Sequence, residues 1–531
     1  MHRPSPPLQP NLSRMLRRAA SAHQEGELGK AERLYGVVLQ RQADNFDALH
    51  GLGQIHQQRG RLDTALALFQ AALKADLSRP DGFASLGLVF HTVKDFDRAL
   101  VSYDEGLRLA PLDAELLNRR GAALLDLGRL REALECFDQA LAGDPGHLDA
   151  LGNRGNALFK LNRPAEALAV YDRALELAPA NAQLLTNRAI ALRRLDRPHA
   201  ALMSVTNALA LRPDFAPARF VESGVRLSLG DFAAGWRGYE SRWDGALASQ
   251  KRKFAVPLWL GRESLTGKTI LLHAEQGFGD TMQFVRYASL LAARGATVVL
   301  EVQPQLVRLL SRTPGVTRAL ARKAPLPRFD FHCPLLSLPL AFGTELPTIP
   351  GDVPYILPAA DEVALWNARL PPGRPRIGLA WAGERAHDND VNRSMRLATL
   401  APVLKLSGVQ FVSLQRDIRN EDAAFLQTCS SLLRIGEEFQ DFAETAAAIS
   451  ALDAVISVDT AIAHLTGALG KPLFVLLPQA ADFRWLRERQ DSPWYPTARL
   501  FRQPKFADWQ SAVDALVEEL ANRGERIALS A

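Results

Sequence analysis

The sequence is poor in cysteine and has no long apolar run, and each shortage closes off a class of protein. Cys136, Cys333 and Cys429 are the three cysteines in 531 residues, and no CxxC pair or Cys/His cluster joins them. A disulfide framework is excluded and zinc-site spacing is missing. Nowhere do about 18 apolar residues follow one another, so no membrane-spanning helix is expected. Charge of one sign is scarce too: the net value is +5, without the concentrated basic patch that marks nucleic-acid binding. The opening "MHRPSPPLQPN" is proline-rich and lacks an apolar core, so it does not read as a secretory leader. A cytoplasmic protein is the expectation. What remains is an ordinary globular balance, 47% hydrophobic and 23% charged, in a chain too long for one core.

The first half repeats. Alanine followed four residues later by an aromatic recurs as Ala31/Tyr35, Ala65/Phe69, Ala99/Tyr103, Ala133/Phe137 and Ala167/Tyr171, a constant step of 34. Gly53, Gly87, Gly121, Gly155 and Ala189 keep the same step, as do Pro111, Pro145, Pro179 and Pro213. Each unit reads as two amphipathic helices. The small residue lets the first approach the second, the alanine packs into the crossing, and the proline ends the second helix. The turn glycine is replaced by Lys94, Asn162 and Asp196 in three units. A degenerate seventh unit, "SGVRLSLGDFAAGWRGYESRW", puts Gly235 and Tyr239 at the alanine and aromatic positions. Its Trp236 and Trp243 suit a cap that docks onto the next domain.

This pattern resembles the tetratricopeptide repeat family. The resemblance implies an all-α solenoid whose concave groove takes a peptide or protein. Asn153 and Asn187, at equivalent positions of adjacent units, either bond a bound peptide backbone there or are solvated polar residues of an inner helix.

From about residue 250 apolar runs alternate with helical stretches, which predicts parallel α/β structure. Strands are expected over 268–274, 297–302, 377–383, 409–415, 453–459 and 472–478, and "FDFHCPLLSLPLAFG" reads as a short strand and a helix. Helices are expected over 280–295, in "QPQLVRLLSR" and over 441–452 and 460–470. The proline-rich "LPPGRPR" at 370–376 separates two βα blocks, with ligands expected at strand carboxyl ends.

Two stretches carry chemistry. In "LLHAEQGFGDTMQF" a glycine turn leads into a helix. Gly277 and Gly279 have dinucleotide-loop spacing, and Glu301 ends the next strand, but Met282 stands where a third glycine belongs. Asp280 would repel a pyrophosphate. Asp280 instead suits a carboxylate at a helix N-terminus that caps the helix, accepts a proton, or does both. "SVDTAIAHLTGALGKP" is a strand end, a polar turn and a short helix whose first N–H groups can hold an anion. Asp459 or Thr460 caps it, Thr460 can offer its hydroxyl, and His464 lies one turn inside. Each alone is explained by capping or packing; together at one strand end they point to a binding site.

The two blocks resemble GT-B glycosyltransferases of the heptosyltransferase-like group (family 9-like), through "GFGD" and "DTAIAHLTGALGKP". The resemblance implies a GT-B fold of two Rossmann-like lobes and an inverting transferase with Asp280 as catalytic base. It places a nucleotide-sugar diphosphate on Asp459, Thr460, His464 and Lys471, with Arg393 and Ser394 as phosphate ligands and Arg385 and Arg396 behind them. Gln415 would contact the nucleobase or sugar, while Gln276, Gly277 and Gly279 form the acceptor loop. No DxD motif or carboxylate cluster stands out, so no metal and no cofactor beyond the nucleotide-sugar co-substrate is expected. Trp485, Trp494 and Tyr495 either wall the donor pocket or pack the return helix.

The division expected is a disordered tail over 1–11, six repeats over 12–215, a capping unit and linker over 216–264, an acceptor lobe over 265–370 and a donor lobe over 371–531. Repeats before a GT-B domain are also the arrangement of O-linked N-acetylglucosamine transferases, which suggests a protein or glycan acceptor. The alternatives are a catalytically inactive repeat scaffold and an NAD-dependent oxidoreductase.

Overall fold

The computed structural model describes residues 10–245 and 247–527. Most of the stretch read as a disordered tail therefore lies outside the described residues; the first helix begins at Pro10. The chain divides into two compact units that meet in sequence at Arg188 and Ala189. That boundary precedes the expected end of the repeat array and falls inside the helix Ala182–Arg194.

The first unit is all helical. Helix pairs follow one another as Pro10–Gln24 with Leu28–Arg41, Phe46–Gln58 with Leu62–Ala75, Pro80–Thr92 with Phe96–Leu109, Ala114–Asp126 with Leu130–Gly143, and Leu148–Lys160 with Pro164–Leu177. The 34-residue period has a steric cause. A Cβ placed on Gly53 or Gly121 would come within 2.5 Å of the Phe69 or Phe137 ring, and Gly87 and Gly155 meet Tyr103 and Tyr171 in the same way. The glycine makes room for the aromatic of its own pair. Ala31, Ala65, Ala99, Ala133 and Ala167 are all fully buried at the crossings. The turn inside each pair needs a positive φ, adopted by Gly26, Gly60 and Gly128 but also by Lys94 (63°) and Asn162 (58°). Glycine is favoured there and not obligatory.

Successive pairs are tied by a ladder with the same period. Arg120 bonds Asp104, Arg154 bonds Asp138 and Arg188 bonds Asp172, at 2.7, 2.6 and 2.6 Å. The Asn153 amide donates to Asn118 Oδ1 at 2.9 Å, and that of Asn187 donates to Asn156 Oδ1 at 3.0 Å. Both asparagines thus bond the preceding pair of helices.

The second unit opens with helices of the same kind, Pro198–Leu211, Ala216–Ser228 and Phe232–Tyr239, and then becomes α/β. Strands β1 (Thr269–His273), β2 (Thr297–Val302), β3 (Val316–Ala321) and β4 (Phe331–Pro334) form a parallel sheet in the order β3-β2-β1-β4. A second parallel sheet holds β5 (Arg376–Ala380), β6 (Gln410–Ser413), β7 (Leu433–Arg434), β8 (Ala454–Val458), β9 (Leu473–Leu477) and β10 (Ala498–Arg502) in the order β10-β9-β8-β5-β6-β7. Counted from β5, this is the 3-2-1-4-5-6 order of a doubly wound sheet, whose switch point lies between β5 and β8.

One apolar cluster runs from Trp236 and Tyr239 through β1 and β2 to β8 and β9. Trp236 sets its edge against Phe284 and Phe483 at 5.9 and 5.5 Å between ring centroids. The fully buried Arg242 ties these helices to the first sheet through Glu240, Glu275 and Ser337.

The helix expected over 280–295 is broken into Phe278–Phe284 and Tyr287–Ala293. Arg286 causes the break. Its Nε takes the carbonyl of Gln283, which a continuous helix would give to the N–H of residue 287. The rest of its guanidinium bonds Pro350 O, Trp494 O and the Tyr355 hydroxyl.

Candidate functional site

The carboxyl ends of β1, β5, β6 and β8 face one cleft of about 1110 Å³. Its lining comes from three sources. Gln276 to Asp280 follow β1; Ala382, Gly383, Gln415, Asp459 and Thr460 follow strands of the second sheet; Arg193, Phe220, Gly224 and Tyr239 come from helices.

The second sheet supplies an anion seat. Thr460 is the N-cap residue of Ala461–Ala468, yet its side chain makes no cap bond; its hydroxyl lies 3.1 Å from Ser457 Oγ instead. The helix starts after the switch-point strand β8 with no side-chain cap, and Thr460, Ala461 and Ile462 at its start line the cleft. Arg393 lines the same space, and among the described residues its guanidinium has neither a hydrogen bond nor an ion pair. Gly383 yields it room, since a Cβ there would come 2.9 Å from Arg393 Nη2.

Asp459 lines the cleft and is pushed up to about 6, first by burial and then by the charge of Asp482. His464 is held neutral: burial, and then the charge of Arg484, lower it to about 3. Its Nδ1 shares a hydrogen bond of 2.9 Å with the Tyr495 hydroxyl, its ring stacks on Trp485, and its Nε2 is 3.6 Å from Asp459 Oδ1. It brings no positive charge to an anion. Trp485, Trp494 and Tyr495 are fully buried behind the cleft; the first and last fix the His464 ring.

The glycine turn acts on the other side. Gly279 carries no side chain because His464 lies against it: a Cβ would sit 2.6 Å from the ring. Close approach of the helices Phe278–Phe284 and Ala461–Ala468, and no phosphate, accounts for that glycine. Asp280 caps its helix by accepting the Gly277 N–H at 2.9 Å, and its other oxygen is ion-paired with Arg484. Arg484 also bonds Asp482 through Nη1 at 2.7 Å and Gln283 through Nε at 2.7 Å. Gln276 donates to the Tyr239 hydroxyl at 2.9 Å.

Other expected residues are elsewhere or otherwise occupied. Lys471 does not line the cleft; its Nζ bonds Ser450 O at 3.2 Å. Ser394 lies buried behind the wall, accepting from Gly383 N–H and donating to Asp390. Gln415 lines the cleft, but its amide fastens the strand ends by accepting from the N–H of Trp381 and Ala382 and donating to Ala382 O. Arg385 lines the cleft and pairs with Glu421, while Arg396 is not in the lining. Glu301 is buried against Arg252, away from the lining. Asn153 and Asn187 belong to the first unit's ladder and not to this cleft.

Sequence reasoning missed Arg193, Tyr239, Asp482 and Arg484. Asp280 and Arg484 are 204 residues apart in sequence, and no motif joins them. Among the described residues no group of three or more His, Cys, Asp or Glu is placed to hold a metal ion, and no helix is long and apolar enough to cross a membrane.

Among known proteins, two family models, both described as tetratricopeptide repeat, match residues 22–86 and 118–182. Tetratricopeptide repeats are present in the first unit. The protein FlbA of Caulobacter vibrioides is 29% identical over 347 residues, covering 58% of this chain and 55% of that protein. The chain thus spans about half the length of the curated relative it matches. Among solved structures, YrrB, titled a TPR protein with an unusual peptide-binding site, is 20% identical with a TM-score of 0.30, covering 35% of this chain and 95% of that one. PilF of Pseudomonas aeruginosa is 22% identical with a TM-score of 0.35, covering 39% and 95%. A thermophilic TPR protein of Thermus thermophilus is 23% identical with a TM-score of 0.31, covering 34% and 98%.

Proposed function

We propose that the second unit is a glycosyltransferase of the heptosyltransferase-like, GT-B kind. It moves a sugar from a nucleotide-sugar to a protein or glycan acceptor recruited by the repeats, with inversion and without a metal. One observation carries this: an uncapped helix N-terminus stands at the switch point of a doubly wound sheet, beside an unpaired Arg393, in a cleft that also holds Asp280.

The donor diphosphate lies on the N–H groups at the start of Ala461–Ala468, with the Thr460 hydroxyl and Arg393 completing its ligands. Asp280 accepts the proton of the acceptor hydroxyl once Arg484 gives up that carboxylate for Asp482, its other partner in the structure. The acceptor oxygen bonds the anomeric carbon as the bond to the diphosphate breaks. The electron pair leaves on the diphosphate oxygen, where the helix N-terminus and Arg393 meet its charge. His464, neutral and fixed by Tyr495 and Trp485, packs its helix against Gly279 and takes no proton.

Thermal stabilisation by ADP, UDP, GDP, CMP, NAD and the corresponding nucleotide-sugars tests the site. A ligand at a hundredfold above its dissociation constant adds about 2.7 kcal/mol to the folded state. A nucleotide diphosphate is expected to stabilise the protein and to lose that effect in Arg393→Ala. Stabilisation by NAD alone would sink the transferase reading. An inactive scaffold would bind without turnover.

A further inference from the structure

Besides Arg393, the cleft lining holds two guanidiniums without a hydrogen bond or ion pair among the described residues, Arg193 and Arg416, and only Arg193 stands over a glycine. Arg193 lines the cleft from the helix Ala182–Arg194 and is itself exposed. Among the described residues it makes no hydrogen bond or ion pair. The nearby acid, Asp482, is taken by Arg484 through both a side-chain and a backbone bond. Yet room is made for Arg193. Gly224, in the middle of the helix Ala216–Ser228, would bring a Cβ within 2.7 Å of Arg193 Nη1. Glycine inside a helix is unfavourable, so its presence beneath a guanidinium is informative. The same device recurs elsewhere in the lining, where Gly383 yields space to the unpaired Arg393. Its surroundings hold Arg193 below the ordinary arginine value, a shift that the charge of Asp482 only partly offsets without an ion pair.

We propose that Arg193 and the gap at Gly224 form a second oxyanion subsite, which takes a carboxylate or phosphate carried by the substrate beyond the donor diphosphate. Only the identity of the carrier, sugar or acceptor, rests on the transferase reading; the subsite rests on the cleft alone. A planar guanidinium gives a carboxylate or phosphate two parallel hydrogen bonds. A neutral ligand would leave that charge unmet, so the subsite selects for acidic substrates.

The test is calorimetric titration of the full chain with inorganic pyrophosphate in one arm and malonate in the other. The proteins compared are wild type, Arg193→Gln, Gly224→Ala and Arg393→Gln. Gly224→Ala keeps the charge and favours the helix, so it re-aims Arg193 without endangering the fold. The expected result is that Arg193→Gln and Gly224→Ala both weaken one anion by about tenfold, the lower end for a hydrogen bond to a charged group, while Arg393→Gln leaves that anion's residual site in place. Loss confined to malonate assigns a carboxylate, and loss confined to pyrophosphate a phosphate. Equal binding of both anions to wild type and Arg193→Gln, or binding of neither to wild type, overturns the proposal. Failure of the transferase reading shows separately, as nucleotide diphosphates that stabilise wild type and Arg393→Ala alike.

Discussion

Arginine serves two different ends in the two units. In the first unit Arg120, Arg154 and Arg188 each meet an aspartate, one repeat after another, at a constant place in the period. In the cleft of the second unit Arg193 and Arg393 meet none, and each stands over a glycine that leaves it room. Paired arginines on a surface hold helices in register at small energetic gain. Unpaired ones lining a cleft keep their N–H donors open to an anion. The contrast separates a region built to be regular from one built to bind.

The contrast can be broken from several sides, and the largest effect is expected at Arg242, the buried arginine that is fully paired. Arg242→Ala leaves Glu275 buried, already pushed up to about 7 by burial, with no counter-charge. A loss of about 3–5 kcal/mol is expected in denaturant unfolding of the second unit. Next comes the carboxylate on the cleft wall. Asp459 has its folded pKa raised to about 6, so the native state holds a proton that the unfolded chain releases near 4. Stability therefore falls as pH rises between about 4 and 6, and stays lowered above that window. Asp459→Asn is expected to stabilise the protein at pH 7.5, by at most about 3 kcal/mol, and to change little at pH 4. Oxyanions should correspondingly bind more tightly as pH drops through 6.

Smaller effects test the repeats. Gly155→Ala drives a Cβ into the Tyr171 ring and should cost about 1–3 kcal/mol. Adding Tyr171→Val should recover part of that, because the next repeat pairs Ala189 with the buried Val205 at these same positions. A double-mutant cycle reads the coupling. Smallest of all, Asp104→Ala should cost under about 1 kcal/mol.

How much of this was readable in advance depends on the kind of order. The repeats were legible because glycine, alanine, aromatic and turn residue recur with one period, and each has a steric task inside its own pair. Buried parallel strands such as β2 and β9 were legible as continuous apolar runs. The edge strand β3, "VTRALA", was not, because its residues are half-buried or exposed. Neither was β10, "ARLFR", whose alternation hides among loop residues. In the cleft, Asp280 and Thr460 came from local motifs and Arg393 from the family resemblance. Lys471 and Ser394 were misplaced, since proximity in sequence to a motif does not say which side of a wall a side chain takes. Arg193 gave one faint signal: the earlier repeats have Gln57, His91, Leu125 and Phe159 at its position. Arg484 gave none, because its partner Asp280 is supplied by another sheet.

The most direct measurement is release of nucleoside diphosphate from the stabilising nucleotide-sugar, with water as acceptor, by wild type and Asp280→Asn. Loss of a positioned base costs typically 10²–10⁴-fold, so a fall of about a hundredfold or more, with binding of the nucleotide-sugar retained, is predicted. Equal rates for the two proteins, or binding by wild type with no release at all, would contradict the assignment of Asp280 as base and of the cleft as a transferase site.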